Sequence, residues 1–424
     1  MSTTLTLTSK HGQPTTASAS LALPVDPANT VAVAGQQAKS ARVSCKKKKR
    51  KLRQLEKDCG VGPDSSLYTR GAWQTPWLDS LGMTEYESME QSSWGSCVCE
   101  PRLHDEIVAY VAYCNATEQE VRARVLVVAK LEQFIRRRVS VCDVQLFGSV
   151  ALDVCLPDSD IDLVIQTPQV YDDKYKTRVL HQLASMFRFS ISCREPTVAV
   201  GACVPVLQFK TSPPLGSYDI DISINADDGV KAVPVIKEYL ANFPILRPLL
   251  LVLKGFLRKL DLHSASNGGL GSYGLSCMTI CFLKLIIRKR DEKLTTDFME
   301  NESLGVLLMD FLQFYGQELD WTTSCISPAQ GEIVTKESLG FRNSTLPEAL
   351  SIQCLLNPGR DIGRSASRAK QIKAAFSDAF NTLKAYKLSM TKCNVLGTIV
   401  RFSYLLIAGS AFGTSSTHMS WKTT

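Results

Sequence analysis

Phe147-Gly148-Ser149, followed ten residues later by Asp160-Ile161-Asp162, is the stretch that decides the fold of this 424-residue chain. Alternating apolar residues precede the Gly-Ser pair, and a second apolar segment carries the two aspartates. Because side chains alternate between the two faces of a strand, Asp160 and Asp162 project from one face and Ile161 faces the core. The stretch therefore predicts two strands joined through a sharp turn at Gly148 and Ser149.

The residue types in this stretch suit metal-dependent phosphate chemistry. Two neighbouring carboxylates repel each other unless a cation lies between them, and hard oxygen ligands suit Mg²⁺ or Mn²⁺. A Gly-Ser turn lets backbone N–H groups approach a phosphate. A surface turn followed by an acidic cluster is the alternative, and the apolar residues flanking both motifs argue against it. The stretch indicates a nucleotidyl-transfer site.

A third carboxylate is expected from the alternating strand at residues 218–224. Asp219, Asp221 and Ser223 share one face of it, opposite Ile220 and Ile222. If this strand lies beside the first acidic strand, one of its aspartates meets the other two. We favour Asp221, which lies deeper in the run, over Asp219. Three carboxylates are the set that two-metal attack of a 3′-hydroxyl on an α-phosphate requires.

The chain after residue 233 is predicted to be mainly helical, and it offers candidates for binding the phosphates and the base. Lys254 and Arg258 are four residues apart and share a helix face, where they could bind the β- and γ-phosphates. A solvated basic face fits that spacing equally well. Gly268 to Tyr273 opens the next helix, where Ser272 could meet an anion and Tyr273 could stack on a base.

The periodicity predicts an α+β chain with no internal repeats. Strands are predicted at 141–147, 160–165, 204–209 and 218–224, and helices at 117–138, 172–187, 235–242, 246–260, 273–288, 304–315 and 365–386. Thr117 with Glu120 three residues later fits the start of the first of these helices, and Arg136–Arg138 fit its end. Cys277 and Cys281 lie four residues apart in an apolar helical run and are expected in the core. The expected boundaries are a disordered tail at 1–67, an arm and first helix at 68–119, a catalytic region at 120–230, a helical region at 231–400 and a tail at 401–424.

Charge and cysteine usage point to an intracellular protein that meets nucleic acid. The net charge is +7, and seven positive residues lie within positions 46–53, so the remainder is nearly neutral. Such a block is typical of a nuclear-import signal or a nonspecific nucleic-acid contact. The 14 cysteines include no Cys-x-x-Cys pair, which favours reduced thiols over disulfides or structural zinc. The apolar runs are too short to cross a bilayer, so no membrane partner is expected.

Taken in order, these motifs resemble the DNA polymerase β-like nucleotidyltransferase superfamily, and within it the non-canonical poly(A) polymerases of the nuclear surveillance (TRAMP-type) branch. The resemblance covers roughly residues 75–400. Its motifs are Leu103-His104-Asp105-Glu106-Ile107, Phe147-Gly148-Ser149, Leu156-Pro157-Asp158-Ser159-Asp160-Ile161-Asp162-Leu163-Val164, Val204-Pro205-Val206, Asp221-Ile222-Ser223, Gly268 to Tyr273, Leu304-Gly305, Asp310-Phe311, Tyr315-Gly316 and Leu356-Asn357-Pro358-Gly359-Arg360-Asp361-Ile362-Gly363-Arg364-Ser365.

The resemblance implies a small mixed-sheet nucleotidyltransferase palm and a mainly helical central (PAP-associated) domain, with an ATP cleft between them. It implies template-independent addition of AMP from ATP to RNA 3′ ends, with Mg²⁺ or Mn²⁺. The residue roles it implies are Gly148 and Ser149 for the triphosphate, Asp160, Asp162 and Asp221 for the metals, Lys254, Arg258 and Ser272 for the β- and γ-phosphates, Tyr273 for the base, and Asn357, Arg360, Asp361 and Arg364 for nucleotide recognition.

The chain departs from the family pattern near the base. Relatives commonly have Asp-Pro where this chain has Cys354-Leu355, and Asn (adenylating) or His (uridylating) near Arg360. Asp361 or water is expected to replace the missing carboxylate. Because the His is absent, AMP addition is the expectation. An RNA uridylyltransferase, a catalytically silent scaffold of an RNA complex and a small-molecule nucleotidyltransferase are the alternatives.

The chain shows no RNA-binding module of its own, such as an RNP motif or a zinc knuckle. The resemblance likewise implies a zinc-knuckle RNA-binding protein and an RNA helicase as partners, in a TRAMP-like complex. A nuclear or nucleolar location is expected from the resemblance and from the basic block at 46–53.

Overall fold

The structure is a computed structural model that describes residues 99–169, 172–192, 194–200, 204–288, 303–386 and 394–400. All of them fall in one compact unit, Leu55–Thr424. The tail, basic block and arm expected before residue 99, and the tail expected at 401–424, lie outside the described residues.

Two long helices open the described chain, α1 at Cys99–Cys114 and α2 at Glu118–Arg138. Helix α2 begins with a reciprocal cap: the Glu120 amide donates to Thr117 Oγ1 at 3.2 Å, and the Thr117 amide donates to Glu120 Oε2 at 2.7 Å. This satisfies two amides that the helix itself cannot pair. Three arginines, Arg136, Arg137 and Arg138, occupy its last turn, where positive charge is favourable. The capping box and the basic end were both predicted.

A five-stranded mixed sheet follows. Its strands are β1 Asp143–Phe147, β2 Ile161–Gln166, β3 Thr197–Ala199, β4 Val206–Lys210 and β5 Asp219–Ile224. The order is β1-β2-β5-β4-β3, with β2 and β5 parallel and every other pair antiparallel. The short helix α3 (Gly148–Ala151) follows β1, and α4 (Asp173–Arg188) packs with α2 against one face of the sheet. The alternation of polar and apolar residues predicted β1, β2, β4 and β5, but missed the three-residue edge strand β3.

The second half of the described chain is mainly helical. Its helices are α5 Asp227–Asn242, α6 Leu246–Lys259, α7 Ser272–Arg288, α8 Leu304–Gln313, which continues as a π-helical turn at Phe314–Glu318, and α9 Ala369–Lys384. They enclose one apolar core. Leu103, Ile107 and Tyr110 of α1 are buried in that core, although the palm sheet separates α1 from it in sequence. Cys277 and Cys281 are fully buried there, as the apolar run predicted.

A β-hairpin interrupts the region that was predicted to be helical after residue 233. Strands β6 (Ser324–Ser327) and β7 (Glu332–Thr335) pair antiparallel, and Gly331 in their turn has a φ of +67°. Each strand is only four residues long, so its alternation is too short to distinguish from a loop. The helical prediction therefore misses this hairpin.

The last described segment, residues 394–400, is fixed to the first helix by a buried carboxylate. Glu106 is fully buried and accepts hydrogen bonds from the amides of Val395 (3.2 Å) and Leu396 (2.7 Å). Arg102 Nε donates to the same carboxylate at 3.0 Å. Within the described residues no single helix is long and apolar enough to cross a membrane; α5 and α6 pass that test only as a pair bent by 118°.

Candidate active site

The register of the parallel strands brings two of the three predicted carboxylates together. Asp162 of β2 pairs with Asp221 of β5, and Asp160 directly precedes β2. The intervening residues Ile161 and Ile220 are fully buried on the opposite face. The two strands are therefore neighbours, as the choice of a third carboxylate assumed. Asp162 and Asp221 lie side by side, and Asp160 lies at the start of the same strand as Asp162.

Burial, and to a smaller extent mutual repulsion, disfavours the ionised form of the site carboxylates. Burial raises the pKa of Asp162 to about 7, with further increases from the charges of Asp221 and Asp160. Burial also raises the pKa of Asp221 to about 6, against a hydrogen bond from Gln208 that lowers it. Burial raises the pKa of Asp160, and the Arg258 charge opposes that rise. A bound dication would favour the ionised form of all three groups.

The donor set fits a hard divalent cation in its chemistry. Within the described residues, however, no three His, Cys, Asp or Glu side chains already converge as a closed metal site. Asp221 accounts for part of this, because its carboxylate accepts from Gln208 Nε2 at 3.2 and 3.1 Å. Carboxylate oxygens are the ligands that Mg²⁺ prefers, so Asp160, Asp162 and Asp221 are the residues that would hold it.

Asp219, the alternative to Asp221, is already paired. Lys210 Nζ lies 2.7 Å from Asp219 Oδ2, across the β4–β5 register. The register partner of Asp221 is the neutral Gln208. Of the two aspartates, Asp221 is therefore the one whose register partner on β4 carries no positive charge, and this favours Asp221 as the third metal ligand.

Gly148 places the predicted phosphate turn directly against Asp162. Its φ is +66°, and a Cβ built on it would lie 2.1 Å from Asp162 Oδ2. Only glycine fits both the left-handed backbone and this close approach. The preceding residue, Phe147, is the register partner of Asp162. The turn and the acidic pair thus form one site, which the sequence spacing suggested.

Lys254 and Arg258 reach the same region from helix α6. Lys254 Nζ donates to the Val154 carbonyl at 2.7 Å, and Arg258 Nη2 lies 3.0 Å from Asp158 Oδ2. Burial lowers the pKa of Lys254 to about 8, against opposing effects led by Cys155 and then Asp162. Both cations therefore lie close enough to the carboxylates to interact with them, and both bind the segment at 153–158 between α3 and β2.

The predicted base-binding elements also lie together. Helix α7 starts at Ser272, and Tyr273 is half-buried, with its hydroxyl 3.6 Å from Cys354 Sγ. The Cys354 amide donates to the Arg360 carbonyl at 3.0 Å. Tyr273 is thereby connected through Cys354 to the predicted nucleotide-recognition loop.

Within that loop, Asp361 has a structural role that the sequence did not predict. Its carboxylate accepts from the amides of Ile352 and Gly363 and from Ser351 Oγ, each at 2.9 Å. These bonds hold the loop and occupy both oxygens. The expectation that Asp361 or water replaces the missing carboxylate at the base edge stays a prediction, since three accepted bonds leave part of the acceptor capacity of this carboxylate unused.

The other predicted loop residues are differently placed. Asn357 Oδ1 accepts from the Gly359 amide at 3.2 Å, which closes the turn. Arg360 Nη1 lies 2.8 Å from Asp228 Oδ2 at the start of α5, so it bridges to the palm side of the site. Arg364 is exposed and lines a cavity of about 560 Å³ together with Arg342 and Arg360.

Sequence reasoning missed several polar groups around the site. Gln208, which donates to Asp221, carries no charge, so its place on the predicted strand gave no sign of a role at the site. Asp228 and Arg247 bind groups more than 90 residues away in sequence. No local pattern reveals such pairings, because they depend on how the palm meets the helical core.

Two family models match the chain. Residues 103–241 match the model described as "Poly(A) RNA polymerase, mitochondrial-like, central palm domain". Residues 303–353 match the PAP-associated model, described as "Cid1 family poly A polymerase". The first match spans the sheet with its acidic residues, and the second spans α8 and the β6–β7 hairpin.

Curated relatives agree with these matches. The chain is 30% identical over 290 residues to the poly(A) RNA polymerase cid14 of Schizosaccharomyces pombe, covering 68% of this chain and 41% of that protein. It is 34% identical over 289 residues to Trf4-2 of Drosophila melanogaster, described as an inactive non-canonical poly(A) RNA polymerase, covering 66% of this chain and 67% of that protein. The chain spans about half the length or less of the first relatives it matches.

Solved structures give the same fold. The polymerase core of TRAMP, an RNA surveillance complex, superposes with a TM-score of 0.65 at 25% identity, covering 78% of this chain and all of that one. A Cid1 poly(U) polymerase superposes with a TM-score of 0.57 at 17% identity, covering 70% of this chain and 98% of that one, which shows the fold alone.

Proposed function

Because this chain belongs to the family of non-canonical poly(A) RNA polymerases, we propose that it is a template-independent nucleotidyltransferase that adds AMP from ATP to RNA 3′ ends. The observation that carries the proposal is the pairing of Asp162 with Asp221 in parallel strands, with Gly148 against the Asp162 carboxylate. That arrangement combines cation ligands and a phosphate turn in one place.

Each group of site residues has a separate proposed role in nucleotidyl transfer. Asp160, Asp162 and Asp221 would hold the divalent ions, which when bound lower the pKa of the attacking hydroxyl and neutralise the leaving pyrophosphate. Gly148 and Ser149 offer backbone N–H groups to the triphosphate. Lys254 and Arg258 supply positive charge from α6, next to the carboxylates. Tyr273 offers an aromatic face, beside the recognition loop, for stacking on the base.

A catalytically silent scaffold is the competing function, because one relative of nearly matching length is described as inactive. The retained carboxylates support the active form. Three clustered acidic groups with raised pKa values, of which Asp162 and Asp221 are half-buried and Asp160 is exposed, destabilise a fold that has no cation to place among them. A catalytically silent protein would carry this loss of stability with no catalytic benefit.

One assay separates these functions. The purified chain is incubated with Mg²⁺, end-labelled single-stranded RNA and each nucleoside triphosphate in turn. We expect extension with ATP, and no extension by the Asp160→Ala/Asp162→Ala variant. Equal extension by wild type and variant would show that the metal assignment is wrong, and no extension under any condition favours the scaffold. A preference for UTP indicates the uridylyltransferase.

The choice of base depends on Arg360. Its ion pair with Asp228 holds the guanidinium at the rim of the site. We propose that ATP remains the preferred nucleotide with Arg360 in this position. Comparing wild type with Arg360→Asn and Asp228→Ala in the same assay tests this, and an unchanged nucleotide ratio in both variants excludes a role for Arg360 in selection.

A complex is proposed as the working form, with a zinc-knuckle RNA-binding protein, an RNA helicase and a nuclear or nucleolar location. Support comes from the likeness to a structure described as the polymerase core of an RNA surveillance complex, and from the basic block at 46–53. Alanine replacement of the block in a fluorescently tagged chain tests the location. An unchanged distribution excludes the block as the import signal.

A further inference from the structure

The segment at 153–158, between the phosphate turn and the acidic strand β2, is held by basic side chains from one stripe of helix α6. The stripe is Arg247, Lys254 and Arg258, which are spaced by seven and four residues and so lie on one face. Each of them donates to a backbone carbonyl of the segment: Arg247 to Asp153 (2.8 Å), Lys254 to Val154 (2.7 Å) and Arg258 to Asp158 (3.1 Å).

Lys254 and Arg258 lie near the carboxylates and already have a proposed role, whereas Arg247 lies two turns away. Arg247 also contacts the Asp153 side chain, with Nη2 3.2 Å from Oδ2, and donates to Asn115 Oδ1 at 2.9 Å. One guanidinium therefore holds both the carbonyl and the carboxylate of Asp153. Lysine, with a single point of charge, could not reproduce this forked contact.

Asp153 needs such support because its backbone is in the left-handed region. Its φ is +55°, which is unfavourable for a residue with a Cβ atom. The turn it forms closes directly on the phosphate turn: the Val154 amide donates to the Ser149 carbonyl at 3.1 Å. Ser149 follows Gly148, on which a Cβ atom would lie 2.1 Å from Asp162 Oδ2. A continuous set of contacts thus runs from Arg247 through Asp153 and Val154 to Ser149.

We propose that Arg247 is a positioning residue of the transfer site, which fixes the left-handed turn at Asp153 and thereby orients the Gly148–Ser149 turn toward the triphosphate. Arg247 acts through this turn and touches no reacting group. The inference rests on the proposed nucleotidyl transfer, since it assigns the triphosphate to that turn.

The test is a double-mutant cycle read by nucleotide affinity. The four proteins are wild type, Arg247→Ala, Asp153→Gly and the double variant, in the full chain with Mg²⁺ and a non-hydrolysable ATP analogue. Glycine adopts the left-handed turn without support, so it replaces what Arg247 provides. We expect Arg247→Ala to weaken analogue binding about tenfold and the double variant to regain most of that loss.

A matched control comes from the same helix. Lys259 also donates to a carbonyl, that of Thr398 at 2.7 Å, which belongs to the last described segment of the chain. We expect Lys259→Ala to leave analogue affinity unchanged. Thermal unfolding of every variant shows whether it is folded, and if Arg247→Ala is unfolded, Arg247→Lys takes its place in the cycle.

Two results would overturn the inference. The first is unchanged analogue affinity in a folded Arg247→Ala protein. The second is equal loss in the single and the double variant, which would mean that Arg247 only joins the helical core to the palm. Because binding is measured apart from RNA extension, a wild type that binds the analogue but extends no RNA contradicts the proposed function and leaves this test intact.

Discussion

Gly148 and Asp162 lie so close together that a Cβ atom on the glycine would be 2.1 Å from the Asp162 carboxylate oxygen. The contact joins the phosphate turn to the acidic strand, and it makes the residue at position 148 a direct determinant of the geometry of the site.

Replacing Gly148 with alanine should therefore abolish most activity. We expect an RNA-extension rate lower by on the order of 100-fold, because the new methyl group displaces a metal-ligand carboxylate. Gly340 supplies the control: its φ is +68° and nothing lies within 4 Å of a Cβ built there. Gly340→Ala should cost about 1 kcal/mol of unfolding free energy and leave the rate unchanged. Equal rates in the two variants contradict the assignment.

Asp219 and Asp221 should differ sharply when each is changed to asparagine. Asp221 faces Asp162 across the register, so Asp221→Asn should lower the extension rate by at least about 100-fold. Asp219 is paired with Lys210 away from that position, so Asp219→Asn should retain activity within about twofold. Steady-state rates at saturating ATP distinguish the two, and the reverse order would identify Asp219 as the ligand.

Protonation of Asp162 and Mg²⁺ binding should stabilise the fold in different pH ranges, protonation at low pH and Mg²⁺ at high pH. The pKa of Asp162 rises to about 7 in the fold, so the folded protein binds that proton more tightly than the unfolded chain. Without metal, this contribution to stability is present at low pH and is lost as pH rises from about 4 to about 7. Mg²⁺ competes with the same proton, so the increase in Tm on adding Mg²⁺ should be larger at pH 8 than at pH 5.5. Thermal melts with and without Mg²⁺ at both values test this, and an increase independent of pH argues against Asp162 as a ligand.

Removing the buried carboxylate of Glu106 should unfold much of the helical half. Glu106→Ala removes the acceptor of two buried amides and one ion-pair partner of Arg102, which should cost about 3–5 kcal/mol. The exposed pair of Glu348 with Lys370 gives a comparison, and Glu348→Ala should leave the free energy of unfolding nearly unchanged. Urea titration followed by circular dichroism measures both. A small change at Glu106 would mean that residues 394–400 do not need this anchor.

The sequence predicted the features that are determined by residues close together in the chain. The alternation around Asp160 and Asp221 indicated the two acidic strands, and Thr117 with Glu120 indicated the start of α2. Each of these signals is contained within a few residues. That the two strands lie side by side was stated only as a condition, and their parallel direction was not predicted, because register between distant strands is set by packing of the whole sheet.

The missed features depend on distant contacts or on very short elements. The β6–β7 hairpin has strands of four residues, and its pairing with residue 352 is remote in sequence. The role of Asp361 as a loop acceptor depends on Ile352 and Gly363 lying around it, which a loop sequence does not reveal. The contact of Arg360 with Asp228 spans 132 positions.

The burial of α1 among the later helices has a mechanical consequence. The chain passes from the helical core into the sheet after Cys114 and returns at Ile236, and between these points Val154 and Leu156 also pack in the helical core. A body attached at several points cannot swing freely as it could on one linker. The sheet and the helices are thus joined through several stretches of chain, which restricts how far Asp162 and helix α6 can move apart.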